Sequence, residues 1–179
     1  MQLYLVRHPP PIVAAGVCYG RSDLAVDPRE QARIVAALLP HLPEGAPLYS
    51  SPLRRCADLA VALDRGPVIL DERLMEIDFG SWELRAWDDI GRAEIDAWAA
   101  DTCGYRPGGG ESVLHMATRI AAFHDALLAA GKTQAVVICH AGAIRLLRER
   151  ARGLAPPEMA RAAAAASHRI AYGELVLLP

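Results

Sequence analysis

Short apolar runs alternate along this chain with longer segments in which apolar residues recur at helical spacing. Apolar runs of this length are typical of strands that are buried on both faces of a parallel sheet. Prolines follow the first run directly, and they end it because proline supplies no amide hydrogen for a sheet. The predicted strands are residues 3–6, 47–50, 68–70, 135–139 and 170–178, the last of which turns at Gly173.

Helical periodicity is clearest over residues 112–131, where Val113, Met116 and Ile120 share one face and Gly131 ends the pattern. Aspartate or serine followed by proline marks the start of two further helices, since these residues suit the cap and the first turn. The predicted helices are 28–39 after an Asp27 cap, 52–63 after a Ser51 cap, 86–100, 112–131, 144–150 and an alanine-rich helix opened by Pro156 and Pro157.

Strands that are followed by crossover helices predict an α/β fold, because such helices join neighbouring parallel strands. We expect a three-layer sandwich with a mostly parallel central sheet and helices on both faces. A length of 179 residues suits a single domain over residues 1–179, with a core of substantial size.

Composition excludes several classes of partner. The chain has 19 basic and 21 acidic residues and a formal charge of -2, which gives no net-charge reason to expect nucleic acid or a membrane surface as a partner. It lacks an apolar run of roughly 18 residues and the features of a secretory signal, so we expect a cytoplasmic protein. Its four cysteines have no paired spacing and are expected to be reduced and mostly buried: Cys18, Cys56, Cys103 and Cys139. The oligomeric state is not predicted.

Two predicted strands end in a histidine, and a third leads into an arginine pair. Arg7 and His8 follow the first strand, and His140 follows residues 135–139. Arg54 and Arg55 lie in the first turn of the helix after residues 47–50. Because the carboxyl ends of parallel strands meet at one edge of a sheet, these groups are expected to form a compact positive pocket. Such a pocket suits phosphate.

Each of these residues also has a structural interpretation. A lone histidine at a strand end is more often a hydrogen-bonded structural residue than a catalytic one, and Arg54 and Arg55 are by default solvated. Two histidines with carboxylates also suit zinc, but no pair has close ligand spacing, so we expect no metal. The other histidines are expected to be structural: His41, His115, His124 and His168.

Five ordered motifs resemble those of the histidine phosphatase superfamily, which includes phosphoglycerate mutases and alpha-ribazole phosphatases. The resemblance implies a phosphoglycerate mutase-like α/β sandwich and a phosphohistidine intermediate, with no cofactor. The motifs are LVRH at 5–8, SSPLRRCADLA at 50–60, LMEIDFGSWE at 74–83, GGES at 109–112 and VICHAGAIR at 137–145.

By motif position the resemblance implies a role for each site residue. His8 matches the nucleophile, Glu76 matches the proton donor, and the arginine of the S-x-L-x-R pattern falls on Arg55 and not on Arg54. The implied catalytic set is Arg7, His8, Arg55, Glu76 and His140, and the implied substrate-binding set is Arg7, Tyr19, Gly20, Arg55, His140 and Ala141.

Several positions depart from the family pattern. Where the family usually has RHG, then a small hydroxyl residue and an asparagine, this chain has Pro9, Pro11 and Ala14. That loop therefore lacks side-chain contacts to phosphate. Leu84 and Ala141 also stand where glycine is common in the family.

Spacing and one further motif favour a phosphatase. Only 35 positions separate Glu76 from Glu111, whereas phosphoglycerate mutases carry a long insertion there. A more open pocket admits water, which favours hydrolysis. The segment CYGRSD at 18–23 resembles the alpha-ribazole phosphatase branch, so the expected substrate is a small phosphate monoester, alpha-ribazole-5'-phosphate of cobalamin biosynthesis. A phosphoglycerate mutase-type phosphotransferase and a catalytically weak phosphate-binding protein remain as alternatives.

Overall fold

A computed structural model describes residues 1–167 and 169–179, so the structural role expected of His168 lies outside the described residues. The central sheet has five strands, which are β1 Gln2–Arg7, β2 Leu48–Ser50, β3 Val68–Leu70, β4 Gln134–Cys139 and β5 Leu175–Leu178. Their order in the sheet is β3-β2-β4-β1-β5. Four strands are parallel and β5 runs antiparallel to β1, which confirms the predicted mostly parallel sheet.

Helices cover both faces of the sheet, as predicted. The helices are α1 Pro28–Leu38, α2 Arg54–Ala62, α3 Arg92–Ala100, α4 Val113–Ala129, α5 Ala141–Ala151 and α6 Pro156–Ala165. One face packs on α4, α5 and α6 through a core that includes Ile120, Phe123 and Ile144, and the other packs on α1 and α2 through Ile34 and Leu59. Each such buried apolar side chain stabilises the fold by about 1.5–3 kcal/mol relative to exposure.

The register of the two central strands places the histidines side by side. Arg7 at the end of β1 pairs with Cys139 at the end of β4. The next residue on each strand, His8 and His140, therefore emerges at the same edge of the sheet, and the two imidazole centroids lie 4.9 Å apart. The sequence-based expectation that the strand ends converge is confirmed.

The start of α2 differs from the prediction. Ser51 and Pro52 do not cap and open the helix, which begins at Arg54. The Ser51 amide instead donates to the carbonyl of Ile138 at 3.0 Å, so this residue still belongs to the sheet edge. The Arg54 amide donates to the Asp23 carboxylate at 2.7 Å. The Asp23 carboxylate, from a preceding loop, therefore accepts the first amide of the helix, a role that the sequence analysis assigned to Ser51.

Two further elements are shorter than predicted. Of the expected helix 86–100, only α3 is α-helical, because Gly91 separates it from a 3₁₀ turn at Trp87–Asp89. The expected strand 170–178 contains only β5, because a turn precedes it in which the Glu174 amide donates to the Ala171 carbonyl at 3.1 Å. Helix α5 is longer than expected and begins directly after His140.

Three of the four cysteines are buried, and Cys103 is partly exposed, as predicted. Within residues 1–167 and 169–179, no helix has both the length and the apolar character that crossing a bilayer requires.

Candidate active site

The imidazole of His8 is held in one tautomer. Its Nδ1 lies 2.6 Å from the carbonyl oxygen of Pro9. Because a carbonyl only accepts hydrogen bonds, Nδ1 carries the proton and Nε2 carries the lone pair. The Nε–H of Arg55 donates to that Nε2 at 3.3 Å. His8 is therefore oriented with a nucleophilic nitrogen towards the arginine.

Both site histidines are neutral at physiological pH. Burial, followed by the charges of Arg55 and Arg7, lowers the pKa of His8 to about 3. Burial, followed by the neighbouring His8 and Arg55, also lowers the pKa of His140 well below its usual range. A neutral imidazole can attack an electrophile without first losing a proton.

Arg55 is fully buried and points at His8, whereas Arg54 is exposed and lies 3.9 Å from the Asp58 carboxylate. The Arg55 guanidinium donates to the carbonyls of Ser22 at 2.7 Å and Gly20 at 2.5 Å. The structure thus brings Arg55, and not Arg54, into the predicted pocket. Gly20 contributes through its backbone carbonyl, which holds the Arg55 guanidinium in place.

Glu83 organises the loop that holds Arg55. Its carboxylate accepts hydrogen bonds from the Ser22 hydroxyl and from the backbone amides of Gly20, Arg21, Ser22 and Phe79. Burial acts to raise the pKa of Glu83, but these hydrogen bonds hold it below its usual value, so the group stays ionised. Sequence reasoning had assigned this residue no role.

His140 is fixed by two buried side chains, one directly after β2 and one in α2. Its Nε2 lies 2.9 Å from the hydroxyl of Ser51 and 3.5 Å from the sulfur of Cys56. Burial raises the pKa of the Cys56 thiol well above its usual value, so it remains a neutral thiol. The contact of Ser51 was missed because the residue was interpreted as a helix cap, although it begins the S-x-L-x-R motif.

Glu76 lies at the N-terminus of α5. One carboxylate oxygen accepts the Gly142 amide at 3.1 Å and the other accepts the Ile77 amide at 3.0 Å. A Cβ atom on Gly142 would lie 2.3 Å from Glu76 Oε1, so only glycine permits this approach. In this position Glu76 borders the same cavity as His8.

An arginine on α4 anchors the segment that carries Glu76. Arg119 donates to the carbonyls of Met75 at 2.7 Å and Glu76 at 3.2 Å, and its guanidinium pairs with Glu111 at 2.7 Å. The GGES motif thus acts at a distance from the cavity, by orienting the arginine that holds the Glu76 backbone.

Arg7 is covered by an aromatic ring from the other end of the chain. The Tyr172 ring centroid lies 3.8 Å from the Arg7 guanidinium carbon, and the Tyr172 hydroxyl lies 2.7 Å from the Tyr19 hydroxyl. Tyr172 was missed because residues 170–178 were expected to form a strand. No local sequence pattern indicates the contact between Tyr172 and Arg7.

The cavity is lined by both charged and apolar side chains. It has a volume of about 330 Å³, and Arg7, His8, Arg55 and Glu76 border it, as do Tyr19 and Ala141. One further cation, Arg145, borders the cavity and donates to the carbonyls of Ala163 and Ala166. The apolar side chains that line the cavity are Ile77, Phe79, Trp98, Val113, Met116, Leu146, Ala163 and Ala164.

A sequence profile of the family described as histidine phosphatase superfamily (branch 1) matches residues 3–173, a span that contains every residue of this cavity. The chain belongs to the histidine phosphatase superfamily. Its fold is accordingly the phosphoglycerate mutase-like α/β sandwich, a phosphomonoester hydrolase fold.

Several solved structures and curated proteins are similar to the chain at moderate identity. The alpha-ribazole phosphatase from Shigella flexneri is 26% identical with a TM-score of 0.80, and the alignment covers 99% of this chain and 89% of that one. The mycobacterial glucosyl-3-phosphoglycerate phosphatase Rv2419c is 25% identical with a TM-score of 0.78, over 99% and 89%. The bifunctional protein Rv2228c of Mycobacterium tuberculosis is 31% identical over 109 residues, which are 57% of this chain and 30% of that protein.

In this superfamily member, the loop after His8 departs from the family pattern in its chemistry. Neither proline nor alanine has a side-chain hydrogen-bond donor, so Pro9, Pro11 and Ala14 supply none. The loop contributes its backbone instead, through the Pro9 carbonyl that accepts from His8.

Proposed function

We propose that this chain is a metal-independent phosphomonoesterase that acts through a phosphohistidine formed on His8. One observation carries the proposal: buried, neutral His8 borders one cavity together with Arg7, Arg55 and Glu76, and its unprotonated Nε2 lies 3.3 Å from Nε of Arg55. A nucleophile, two cations and a carboxyl group are the set that phosphoryl transfer to an imidazole requires.

In the first step, Nε2 of His8 attacks phosphorus in line and the bond to the leaving oxygen breaks. Arg7, Arg55 and His140 stabilise the charge on the equatorial oxygens. Glu76 in its acid form donates its proton to the leaving oxygen, which departs as an alcohol.

In the second step, water attacks the phosphohistidine. The Glu76 carboxylate takes a proton from this water, the bond between phosphorus and Nε2 breaks, and inorganic phosphate leaves. Glu76 then again holds the proton that it needs for the next substrate. The short segment between Glu76 and Glu111 supports this hydrolytic outcome, because it leaves the cavity accessible to water.

We propose alpha-ribazole-5'-phosphate, a nucleotide-like precursor in cobalamin biosynthesis, as the substrate. The CYGRSD segment and the similarity to the Shigella flexneri alpha-ribazole phosphatase support it. The aromatic side chains of the cavity also support it, because Phe79 and Trp98 suit an aromatic base better than an acid such as phosphoglycerate. A catalytically weak phosphate-binding protein is the second candidate, favoured by the proline-rich loop.

The test is phosphate release from para-nitrophenyl phosphate, alpha-ribazole phosphate, 3-phosphoglycerate and a simple alkyl phosphate, with EDTA present. We expect release in EDTA, a preference for alpha-ribazole phosphate, and a loss of at least about a thousandfold in His8→Ala. His41→Ala, a change at an exposed histidine, is the matched control. Phosphate binding without turnover in the wild type would support the second candidate instead.

Leaving-group dependence tests Glu76. Glu76→Gln should lose about a hundredfold or more on the alkyl phosphate, because an alkoxide needs a proton to depart. The loss on para-nitrophenyl phosphate should be much smaller, because that leaving group departs unprotonated. Equal losses on both substrates would contradict the role of proton donor.

A further inference from the structure

Two tyrosines from opposite ends of the chain meet beside the two arginines of the cavity. Tyr172 lies in the turn before β5, and its ring stacks on Arg7 with the centroid 3.8 Å from the guanidinium carbon. Tyr19 lies in the loop that binds Arg55, with its ring centroid 5.7 Å from that guanidinium carbon. The two hydroxyls are 2.7 Å apart and share a hydrogen bond. We call these residues the tyrosine pair.

The backbone around Arg7 fixes the position of Tyr172. The Arg7 amide donates to the Glu174 carbonyl at 3.1 Å, and the Gly173 amide donates to the Arg7 carbonyl at 3.0 Å. The Arg7 guanidinium donates to the Ile170 carbonyl at 2.6 Å. The turn is therefore bound to Arg7 on both sides of Tyr172, which leaves the tyrosine ring in a defined place over the cation.

Tyr19 remains a protonated phenol. Burial, followed by the hydrogen bond to Tyr172, raises its pKa above the usual value. The shared hydrogen bond is thus available over the whole range of pH in which the fold is expected to be stable.

We propose that the tyrosine pair acts as one positioning unit, which holds Arg7 and Arg55 at the spacing that a bound phosphoryl group requires. In this chain the unit compensates for the side-chain contacts that the loop of Pro9, Pro11 and Ala14 does not supply. The inference rests on the proposed function, because it assumes that phosphate binds between these arginines.

The physical reason is preorganisation. A long arginine side chain loses conformational freedom when it binds an anion, and this loss weakens binding unless the side chain is already ordered. An aromatic face over a guanidinium restricts it without occupying the hydrogen donors that phosphate uses. The bond between the hydroxyls connects the two rings, so that ordering one arginine also orders the other.

A double-mutant cycle on the hydroxyls tests the unit. Tyr19→Phe and Tyr172→Phe should each weaken competitive inhibition by inorganic phosphate or vanadate about three- to tenfold, the range expected for one hydrogen bond. Inhibition of the double variant should be no weaker than inhibition of either single variant, because both changes remove the same hydrogen bond. Tyr4→Phe, on β1, is the matched control and should leave inhibition unchanged.

The aromatic ring is tested separately. Tyr172→Leu should weaken phosphate inhibition more than Tyr172→Phe, because it also removes the ring from Arg7, while an unchanged unfolding midpoint excludes a loss of fold. Unchanged inhibition in the phenylalanine variants, or losses that simply add, would overturn the proposal. If the wild type hydrolyses substrate but these variants match it, only this inference fails; a wild type without turnover would refute the phosphatase function itself.

Discussion

At the scale of single residues, Leu84 has an unusual backbone conformation. Its φ of 64° lies in the left-handed region, which costs a residue with a side chain roughly 1–2 kcal/mol. The surroundings impose it, since the Leu84 amide donates to the Cys18 carbonyl and the Cys18 amide donates to the Arg85 carbonyl, each at 2.8 Å. These bonds connect the segment after Glu83 to the loop that carries Tyr19. These two hydrogen bonds therefore hold Leu84 in its left-handed conformation beside the loop of the candidate active site.

We expect Leu84→Gly to stabilise the protein relative to Leu84→Ala by about 1 kcal/mol. The Leu84 side chain is 57% exposed, so its removal loses little buried surface, and glycine alone relieves the left-handed strain. Urea unfolding of the two variants measures the difference. Alanine removes the same side chain but keeps the Cβ atom, so it serves as the control. A glycine variant no more stable than the alanine variant would contradict this account.

Glu83 shows how one residue organises others. It makes no hydrogen bond to His8 in the described structure, yet the loop that it binds holds Arg55 by two carbonyls. The chain of contacts runs from a carboxylate through backbone amides to a guanidinium and then to the nucleophile. Charge placement in this site therefore depends on the path of a loop, and not only on the residues that border the cavity.

At the scale of elements, the N-terminus of α5 sets the position of Glu76. The Gly142 amide donates to its carboxylate at 3.1 Å, and the helix can approach this closely only because residue 142 lacks a Cβ atom. The same short segment therefore carries His140 at its start and orients the Glu76 carboxyl group.

We expect Gly142→Ala to lower the hydrolysis of an alkyl phosphate by about ten- to a hundredfold. A Cβ atom 2.3 Å from Glu76 Oε1 must displace the carboxyl group, and a misplacement of about 1 Å is costly to catalysis. Initial rates on the alkyl phosphate measure the effect. In the Glu76→Gln background the substitution should add little, since its target has already been changed. Full additivity would show that Gly142 acts elsewhere.

Sequence patterns predicted the parts of the site that depend on where strands end. Apolar runs located β1 and β4, and the parallel register then required His8 and His140 to be neighbours. Local pattern could not predict contacts between residues that are distant along the chain. Asp23 accepts the first amide of α2, and Tyr172 covers Arg7 from a turn that resembled a strand in its apolar content. These contacts arise from tertiary packing, which periodicity does not encode.

At the scale of the whole molecule, the fold keeps several buried histidines in the neutral form. Burial is the main cause of the lowered pKa of His8, His124 and His140. In the unfolded chain these residues titrate near pH 6.5. Below that pH the unfolded state takes up protons that the folded state does not. Stability is therefore fully present above pH 6.5 and falls as the pH decreases, for His8 down to about pH 3.

We expect the free energy of unfolding to fall between pH 6.5 and 5 by up to about 1.4 kcal/mol per pH unit for each such histidine. Carboxylates with a lowered pKa, such as Glu83 and Asp71, lose their contribution only at lower pH, so this window reports the histidines. Urea unfolding at several pH values measures the slope of the free energy of unfolding against pH. His8→Asn should reduce this slope by the contribution of about one proton. His41→Asn, at an exposed position, is the control.

The pH dependence of the free energy of unfolding is linked to the candidate active site. The burial that keeps His8 and His140 neutral also makes them costly to protonate, so acid acts on His8, the proposed nucleophile. Phosphate bound at the proposed site would supply negative charge beside the His8 ring and should raise its pKa, because an opposite charge favours the protonated form. Added phosphate should therefore stabilise the wild type more at pH 5 than at pH 7, and His8→Asn should reduce that difference. A slope that is identical in the wild type and in His8→Asn would show that His8 is not buried as a neutral base.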